Sequence, residues 1–359
     1  MIPFIEKRKY SFIFSGVLFA VSIALLAIYG LKPGIDFTGG SLLEVRFTEN
    51  RPSVELVRGS LEKLDVGLAS VQPANENGFL IKLKFLSEEE HQTILSTLRS
   101  QFETKGTGGA TTTQAVVTST PTTVQAVGQN GKPVTVQIEQ VTPNDVDKPV
   151  VGGNRMEEVQ LQTIGPAISS TLKASAARAA AMVLVAIILF VAYAFRRVSK
   201  PVASWKYGVV AVVALIHDVV ITMGIFALLG HFWSIEVDVL FVVALLTILG
   251  YSVNDTIVIF DRIREKIIRS GSDKFPETVN RGLNETVVRS INTSLATFLV
   301  MAALFFFGGE SIKYFALTLM FGIFFGTYSS IFVASPLLVE IEHWGNPSSP
   351  KATKDKPRK

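Results

Sequence analysis

Apolar positions along this chain fall into two patterns. Long, nearly unbroken runs occupy its beginning and its second half, and short periodic runs fill the stretch between. The long runs are FIFSGVLFAVSIALLAIYGL at 12–31, then about 176–195, 207–229, 238–260, 286–307 and 313–339. A stretch of roughly 20 apolar residues is long enough to cross a bilayer as a helix. Six crossings are therefore expected. The first run follows Lys7, Arg8 and Lys9 as a secretory signal would, but it has no small-residue cleavage site before Lys32-Pro33. It reads as an uncleaved anchor.

Lys and Arg cluster in every second link. Arg196, Arg197, Lys200 and Lys206 lie between the second and third runs, and Arg262, Arg264, Lys266, Arg269, Lys274 and Arg281 between the fourth and fifth. The alternate links GHFWSIE and GGESIK carry almost none. Basic flanks stay on the cytoplasmic side. The expected layout is a cytoplasmic N-terminus at 1–11, an outer (periplasmic) domain at 32–175, further spans within 176–340, and a basic cytoplasmic tail at 341–359.

The periods within 32–175 change repeatedly. SLLEVRF (41–47) and FLIKLKF (79–85) alternate as half-buried strands do, and LASVQ (68–72) and MEEVQLQTIG (156–165) suit two more. Val54, Val57, Leu61 and Leu64 recur at helical spacing, and Ser87 followed by Glu90 opens a second helix with a capping box. The order βαββαβ predicts a ferredoxin-like α+β sandwich. A Thr-rich segment at 103–154 interrupts it. Asn130-Gly131 between alternating runs within that insertion predicts a hairpin.

Composition narrows the chemistry. The 359 residues are 48% apolar, and the net charge is +4. No cysteine is present, and the four histidines form no HExxH or HxH motif. Thiol catalysis, disulfides and the common zinc motifs are excluded. Nothing resembles a phosphate loop, and the positive-inside rule accounts for the basic links without nucleic acid.

Three ionisable residues sit inside the expected spans: Asp218, Asp255 and Arg289. Such groups persist in a membrane where they face other helices or water. Asp255 lies roughly 9 Å, and Arg289 roughly 12 Å, to the cytoplasmic side of the middle of its span, so the two can meet if those spans are neighbours. Thr286, Arg289, Thr293 and Thr297, with Asn292 beside them, form one polar stripe. Thr247, Tyr251, Asn254 and Asp255 form another. The open readings are a carboxylate that gains and loses a proton, a static ion pair, and a carboxylate at headgroup level. Asp218 follows His217, a pairing that looks like a proton relay because histidine titrates near neutrality, but neighbouring helical side chains leave about 100° apart. A shared relay face is thus not expected, and a hydrogen-bonding role is. Gly322 and Gly326 form a GxxxG motif that permits close helix contact.

Five motifs together resemble the SecF family, the smaller membrane subunits of bacterial SecDF export-accessory complexes. They are GIDFTGGSLLEVRF (34–47), LIHDVVITMGIFALLG (215–230), GYSVNDTIVIFDRIRE (250–265), LNETVVRSINTSLATFL (283–299) and YSSIFVASPLL (328–338). The resemblance implies half of a resistance-nodulation-division transporter core in a bacterial inner membrane, with SecD supplying the other half. It implies a function that uses the proton-motive force in late, ATP-independent preprotein translocation. Partners would be SecD, the SecYEG channel, YajC, YidC, unfolded preprotein and protons, without nucleic acid.

On the matching motifs, Asp255 and Arg289 would couple protons. Asn254, Asp218, His217, Asn292 and Thr293 would support them, and Asp36, Phe37, Gly39 and Gly40 would mark the exit of the first span. No catalytic residue, cofactor or metal is implied. A proton-coupled small-molecule exporter, a translocon scaffold and an intramembrane protease remain as rival readings. The insertion at 103–154 departs from the family pattern.

Overall fold

The computed structural model describes residues 1–64, 66–103, 121–127, 133–139, 154–194, 203–270 and 275–345. The Thr-rich stretch 104–120, the basic cluster Arg196, Arg197 and Lys200, and the Lys-rich tail fall outside them. The chain divides into a helical unit, residues 1–39 and 164–359, and a sheet unit, residues 40–163.

In the sheet unit, strands β1 (Gly40–Phe47), β2 (Leu68–Ala74), β3 (Gly78–Leu83) and β6 (Met156–Ile164) form one sheet in the order β2-β3-β1-β6. Helices α3 (Val54–Glu62) and α4 (Glu88–Phe102) complete a ferredoxin-like βαββαβ arrangement. The antiparallel register sets Leu43 opposite Ile81 and Val45 opposite Phe79. These alternate positions, with Phe47, are buried beneath Val57 and Leu61 of α3 and Ile94, Leu95 and Leu98 of α4. Period-2 and period-3.6 apolar faces thus meet in one core. Ser87 accepts from the Glu90 backbone N–H while the Glu90 carboxylate accepts from that of Ser87, closing the capping box. Strands β4 (Pro121–Val127) and β5 (Pro133–Glu139) pair antiparallel with Val127 opposite Pro133; the Asn130-Gly131 turn expected between them lies outside the described residues.

Among the described residues, six helical segments of the other unit are long and apolar enough to cross a membrane. They are α1 (Arg8–Ile28), α5 (Pro166–Ala194), α6 (Ser204–Trp233), α7 (Val239–Ser270), α8 (Phe275–Phe307) and the continuous run formed by α9 (Glu310–Ser329), a π turn (Ser330–Ala334) and α10 (Ser335–Gly345). A short helix, α2 (Ile35–Thr38), follows α1.

Boundaries differ from the hydropathy reading for local reasons. Helix α1 spans 8–28 rather than 12–31, because Gly30 takes φ +65° and Lys32–Gly34 pairs with Val237. Helix α5 starts at Pro166 rather than 176. Pro is suited to a first helical turn, and the polar Ser169, Ser170, Thr171 and Lys173 lower the hydropathy of 166–175 without preventing a helix there. Helices α7 and α8 run on past the apolar runs into their charged ends. There Arg262, Lys266 and Glu285 form ion pairs between the two helices.

Two details fix the packing around α9. Any Cβ on Gly322 would collide with Ile248 of α7, and one on Gly326 would stand 3.0 Å from the Cβ of Ser252. The GxxxG motif is therefore the contact surface between α9 and α7. The π turn precedes Pro336, whose ring removes a backbone donor and crowds the preceding turn. The Ser335 hydroxyl donates to the Ser330 carbonyl at 3.0 Å within the widened turn.

Both chain ends of the helical unit gather at one end of the bundle. The backbone carbonyl of Ile2 accepts from the side-chain amides of Asn280 and Asn284. Arg8 pairs with Glu340 at 2.5 Å, and Lys206 pairs with Glu342 at 2.7 Å.

Candidate functional site: polar seams within the helical bundle

Helix α7 places Asp255 on its side toward α8, where the Ser290 hydroxyl donates to Asp255 Oδ1 at 2.5 Å. One turn away, the Tyr251 hydroxyl donates to Ser294 at 3.3 Å, and Thr327 of α9 donates to the same serine at 2.5 Å. Ser290 and Ser294 are buried. Asp255 Oδ2 is also buried and has no hydrogen-bond partner among the described residues. Helices α7 and α8 are thus neighbours with a polar seam between them, and the carboxylate in that seam is half satisfied.

The stripe of α8 that meets α7 is not the one expected. It runs through Thr286, Ser290 and Ser294, all buried, whereas Arg289, Asn292 and Thr293 are exposed. Arg289 makes no ion pair with Asp255; it leaves α8 about 100° around from Ser290 and is exposed. On α7, Asn254 and Thr247 are likewise exposed. An outward polar face of Asn254, Thr247, Arg289, Asn292 and Thr293 therefore accompanies the inward seam.

A second seam surrounds Asp218 of α6, which is fully buried. Its Oδ2 accepts from Ser252 of α7 at 2.6 Å and from Ser329 of α9 at 2.8 Å. Its Oδ1 lies 3.0 Å from His217 Nδ1. The expectation that neighbouring side chains would diverge is corrected here: the imidazole nitrogen lies within hydrogen-bonding distance of the carboxylate. One turn further along α7, Thr256 bonds Ser330 of the π turn at 2.8 Å.

The residues following α1 form a third arrangement. Gly34 N–H donates to the Val237 carbonyl and Val237 N–H to that of Lys32, both at 2.8 Å. Buried Asp36 accepts from the Val239 backbone N–H at 2.9 Å, and Asp238 accepts from that of Phe241 at 2.8 Å. Two carboxylates thus serve the orphan donors at the start of α7. Burial pushes the Asp238 carboxyl up from its ordinary value, and the Asp36 charge pushes it the same way. Phe37 is partly buried, and Gly39 and Gly40 adopt φ +74° and +129°, which favour glycine.

The hydroxyls of Ser252, Ser290, Ser294, Ser329 and Ser330 escaped the sequence reading. Serine interrupts an apolar run only weakly, so hydropathy passes over it. The i, i+4 spacing of Ser290 and Ser294 was the available signal. Among the described residues, no three His, Asp or Glu side chains converge as metal ligands do.

This geometry has relatives. Residues 148–344 match the family described as protein export membrane protein SecD/SecF, C-terminal, and residues 24–50 match the SecD/SecF GG motif. The protein translocase subunit SecF of Thermobaculum terrenum is 35% identical over 343 residues, covering 96% of this chain and 95% of that protein. The subunit of the same name from Synechocystis is 32% identical over 356 residues, covering 96% and 95%. The crystal structure of SecDF, a translocon-associated membrane protein from Thermus thermophilus, superposes with a TM-score of 0.69 at 30% identity. That match covers 96% of this chain and 39% of the SecDF chain, so the present chain spans well under half of the larger protein. With near-complete coverage of both curated relatives and a family match across the helical unit, the chain belongs to the SecD/SecF family of protein export membrane proteins.

Proposed function

We propose that the chain is the SecF half of a proton-driven export-accessory assembly. SecD supplies the other half of the membrane core. The assembly uses the proton-motive force to draw unfolded preprotein from the SecYEG channel at a late, ATP-independent stage, with YajC and YidC as further neighbours. It resides in the bacterial inner membrane, with both chain ends cytoplasmic and the sheet unit periplasmic. The chain makes and breaks no covalent bond in this reading.

The observation that carries the proposal is Asp255. A carboxylate inside a membrane helix, with one oxygen on Ser290 and the other buried without a hydrogen-bond partner among the described residues, is an expensive arrangement that a static packing role does not require. Protonation turns the open oxygen from acceptor to donor and removes the charge. Helices α7 and α8 can then repack, and the movement passes to whatever binds their outer face. Arg289 belongs to that face. It acts on Asp255 through the partner's helices rather than by direct pairing. Asn254, Asn292 and Thr293 give the partner hydrogen-bonding groups, and Asp218 with His217 anchors α6 to α7 and α9. The transmembrane potential supplies about 2.3 kcal/mol per charge per ~100 mV. One or two protons therefore suffice for several kcal/mol of domain movement.

The test is preprotein export in membrane vesicles containing the channel and the partner subunit, with wild type compared with Asp255→Asn, each with and without a proton gradient. The expected result is a gradient-dependent gain that the substitution abolishes while assembly stays normal. An equal gain in both reduces Asp255 to a packing residue and favours a scaffold.

A further inference from the structure

We propose that His217 and Asp218 form a separate proton-binding site, which takes up one proton at His217 Nε2. The sequence makes them neighbours, and the fold makes them a hydrogen-bonded dyad, with Nδ1 3.0 Å from Asp218 Oδ1. The carboxylate already accepts from Ser252 and Ser329 on its other oxygen. Within this proposal Asp218 is ionised; such a carboxylate only accepts, so the nitrogen facing it carries the hydrogen. That assigns the neutral ring as the Nδ1–H tautomer and leaves Nε2 with a lone pair.

Nε2 is buried and has no hydrogen-bond partner among the described residues, on a side chain that is itself more than nine-tenths buried. A buried polar atom without a partner calls for a reason, and a proton-accepting position supplies one. When a proton from water adds to that lone pair, the dyad passes from one net negative charge to none. No other bond changes. The carboxylate keeps its three hydrogen bonds and now faces an imidazolium. Two rings line the site: Phe19 of α1 is stacked 6.2 Å from the imidazole and Tyr328 of α9 6.4 Å from it, centroid to centroid.

The elements around α6 bring the following ionisable groups. Tyr328 presents its ring to His217 and shares its hydroxyl with Ser15 at 2.9 Å. Asp255 of α7 directs its carboxylate to Ser290. Arg178 of α5 is exposed and bonds back to Ala174 and Ser175, and Lys173 and Tyr193 are exposed on the same helix. Glu340 and Glu342 of α10 pair with Arg8 and Lys206. Between Tyr10 and Tyr29, α1 has no ionisable residue. The dyad is thus an acid–base unit distinct from Asp255. It also has a mechanical connection, since Ser329 stands at the border of the π turn.

The site can be read directly, without any export measurement, so its failure is separable from that of the function proposed above. The full chain, labelled with [15N]histidine, is placed in phospholipid bilayers and followed by solid-state NMR through a pH series. His217→Gln identifies the relevant imidazole by the signals it removes. The expected result is a reversible change of that ring from the neutral Nδ1–H form to the doubly protonated form. Asp255→Asn leaves the change in place, and Asp218→Asn abolishes it over the same range. The proposal is overturned if the wild-type ring stays singly protonated throughout, or if Asp218→Asn leaves its protonation unaltered. Should Asp218→Asn fail to insert, the wild-type series decides alone.

Discussion

Ser290 donates its hydroxyl to Asp255 at 2.5 Å, while Arg289, its immediate neighbour on α8, faces out of the bundle. One helix thus presents a small donor inward and a cation outward at the same depth. A hydrogen bond to a charged group is worth about 1.5–3 kcal/mol. Ser290→Ala removes the hydrogen bond at Asp255 Oδ1. The expected outcome is an intermediate loss of the gradient-dependent gain in export, smaller than that of Asp255→Asn, with assembly intact. Parallel export assays on the two variants check it. A Ser290→Ala variant indistinguishable from wild type would mean the serine does not hold the carboxylate.

Arg289 leads to a second expectation. It makes no ion pair with Asp255 within the chain, and its surface is open. Arg289→Gln should leave the thermal unfolding of the isolated chain within about 0.5 kcal/mol of wild type, as surface changes usually do. It should weaken co-purification with the partner subunit and reduce the gradient response. Loss of stability in the isolated chain would place Arg289 in an internal contact instead.

Much of this was legible before the fold was known, and the misses share a cause. Strand and helix periods located β1, β3, α3 and α4, because a residue in a thin sandwich either faces the core or does not. The Ser87–Glu90 box was legible because it is local. Asp255 and Asp218 stood out because a carboxylate in an apolar run is conspicuous. What the periods could not say is which face of α8 meets α7. Thr286 fits both the stripe through Arg289 and the one through Ser290, and the sequence offers no reason to prefer either. The larger polar groups drew attention, while the small hydroxyls that make the contacts did not. The His217–Asp218 contact was missed for a different reason: the 100° rule describes where side chains leave the helix, not where their far atoms lie.

The GxxxG motif carries a packing prediction. Gly322 has no room for a Cβ against Ile248, so Gly322→Ala must push α9 from α7 or force Ile248 off its rotamer. Overpacking of this kind costs roughly 1–3 kcal/mol. Gly322→Ala is expected to lower the unfolding temperature, and adding Ile248→Ala should recover much of the loss by giving the new methyl a place. Simple addition of the two losses would show that the contact is not what limits the approach of the helices.

The start of α7 offers a test with a definite sign. Burial and the Asp36 charge raise the folded-state pKa of Asp238. A carboxyl group raised in this way binds its proton more tightly folded than unfolded. Its contribution to stability is therefore fully present below the unfolded value and is lost as pH rises through the folded one. Asp238→Asn, which is neutral at every pH, should flatten this part of the pH–stability curve and gain relative to wild type toward neutral pH. Asp36→Ala has a different effect. It strips the acceptor from the Val239 N–H, and a buried donor left unpaired costs about 1–3 kcal/mol. Hydrogen exchange at the first amides of α7, followed in the full chain from acid to neutral pH, separates the two. Asp36→Ala should raise exchange at Val239 across the range, whereas Asp238→Asn should change its pH dependence. If Asp238→Asn instead destabilised the helix most at neutral pH, its cap to Phe241 would outweigh the repulsion from Asp36, and the two carboxylates would act as partners in holding α7 rather than as competitors.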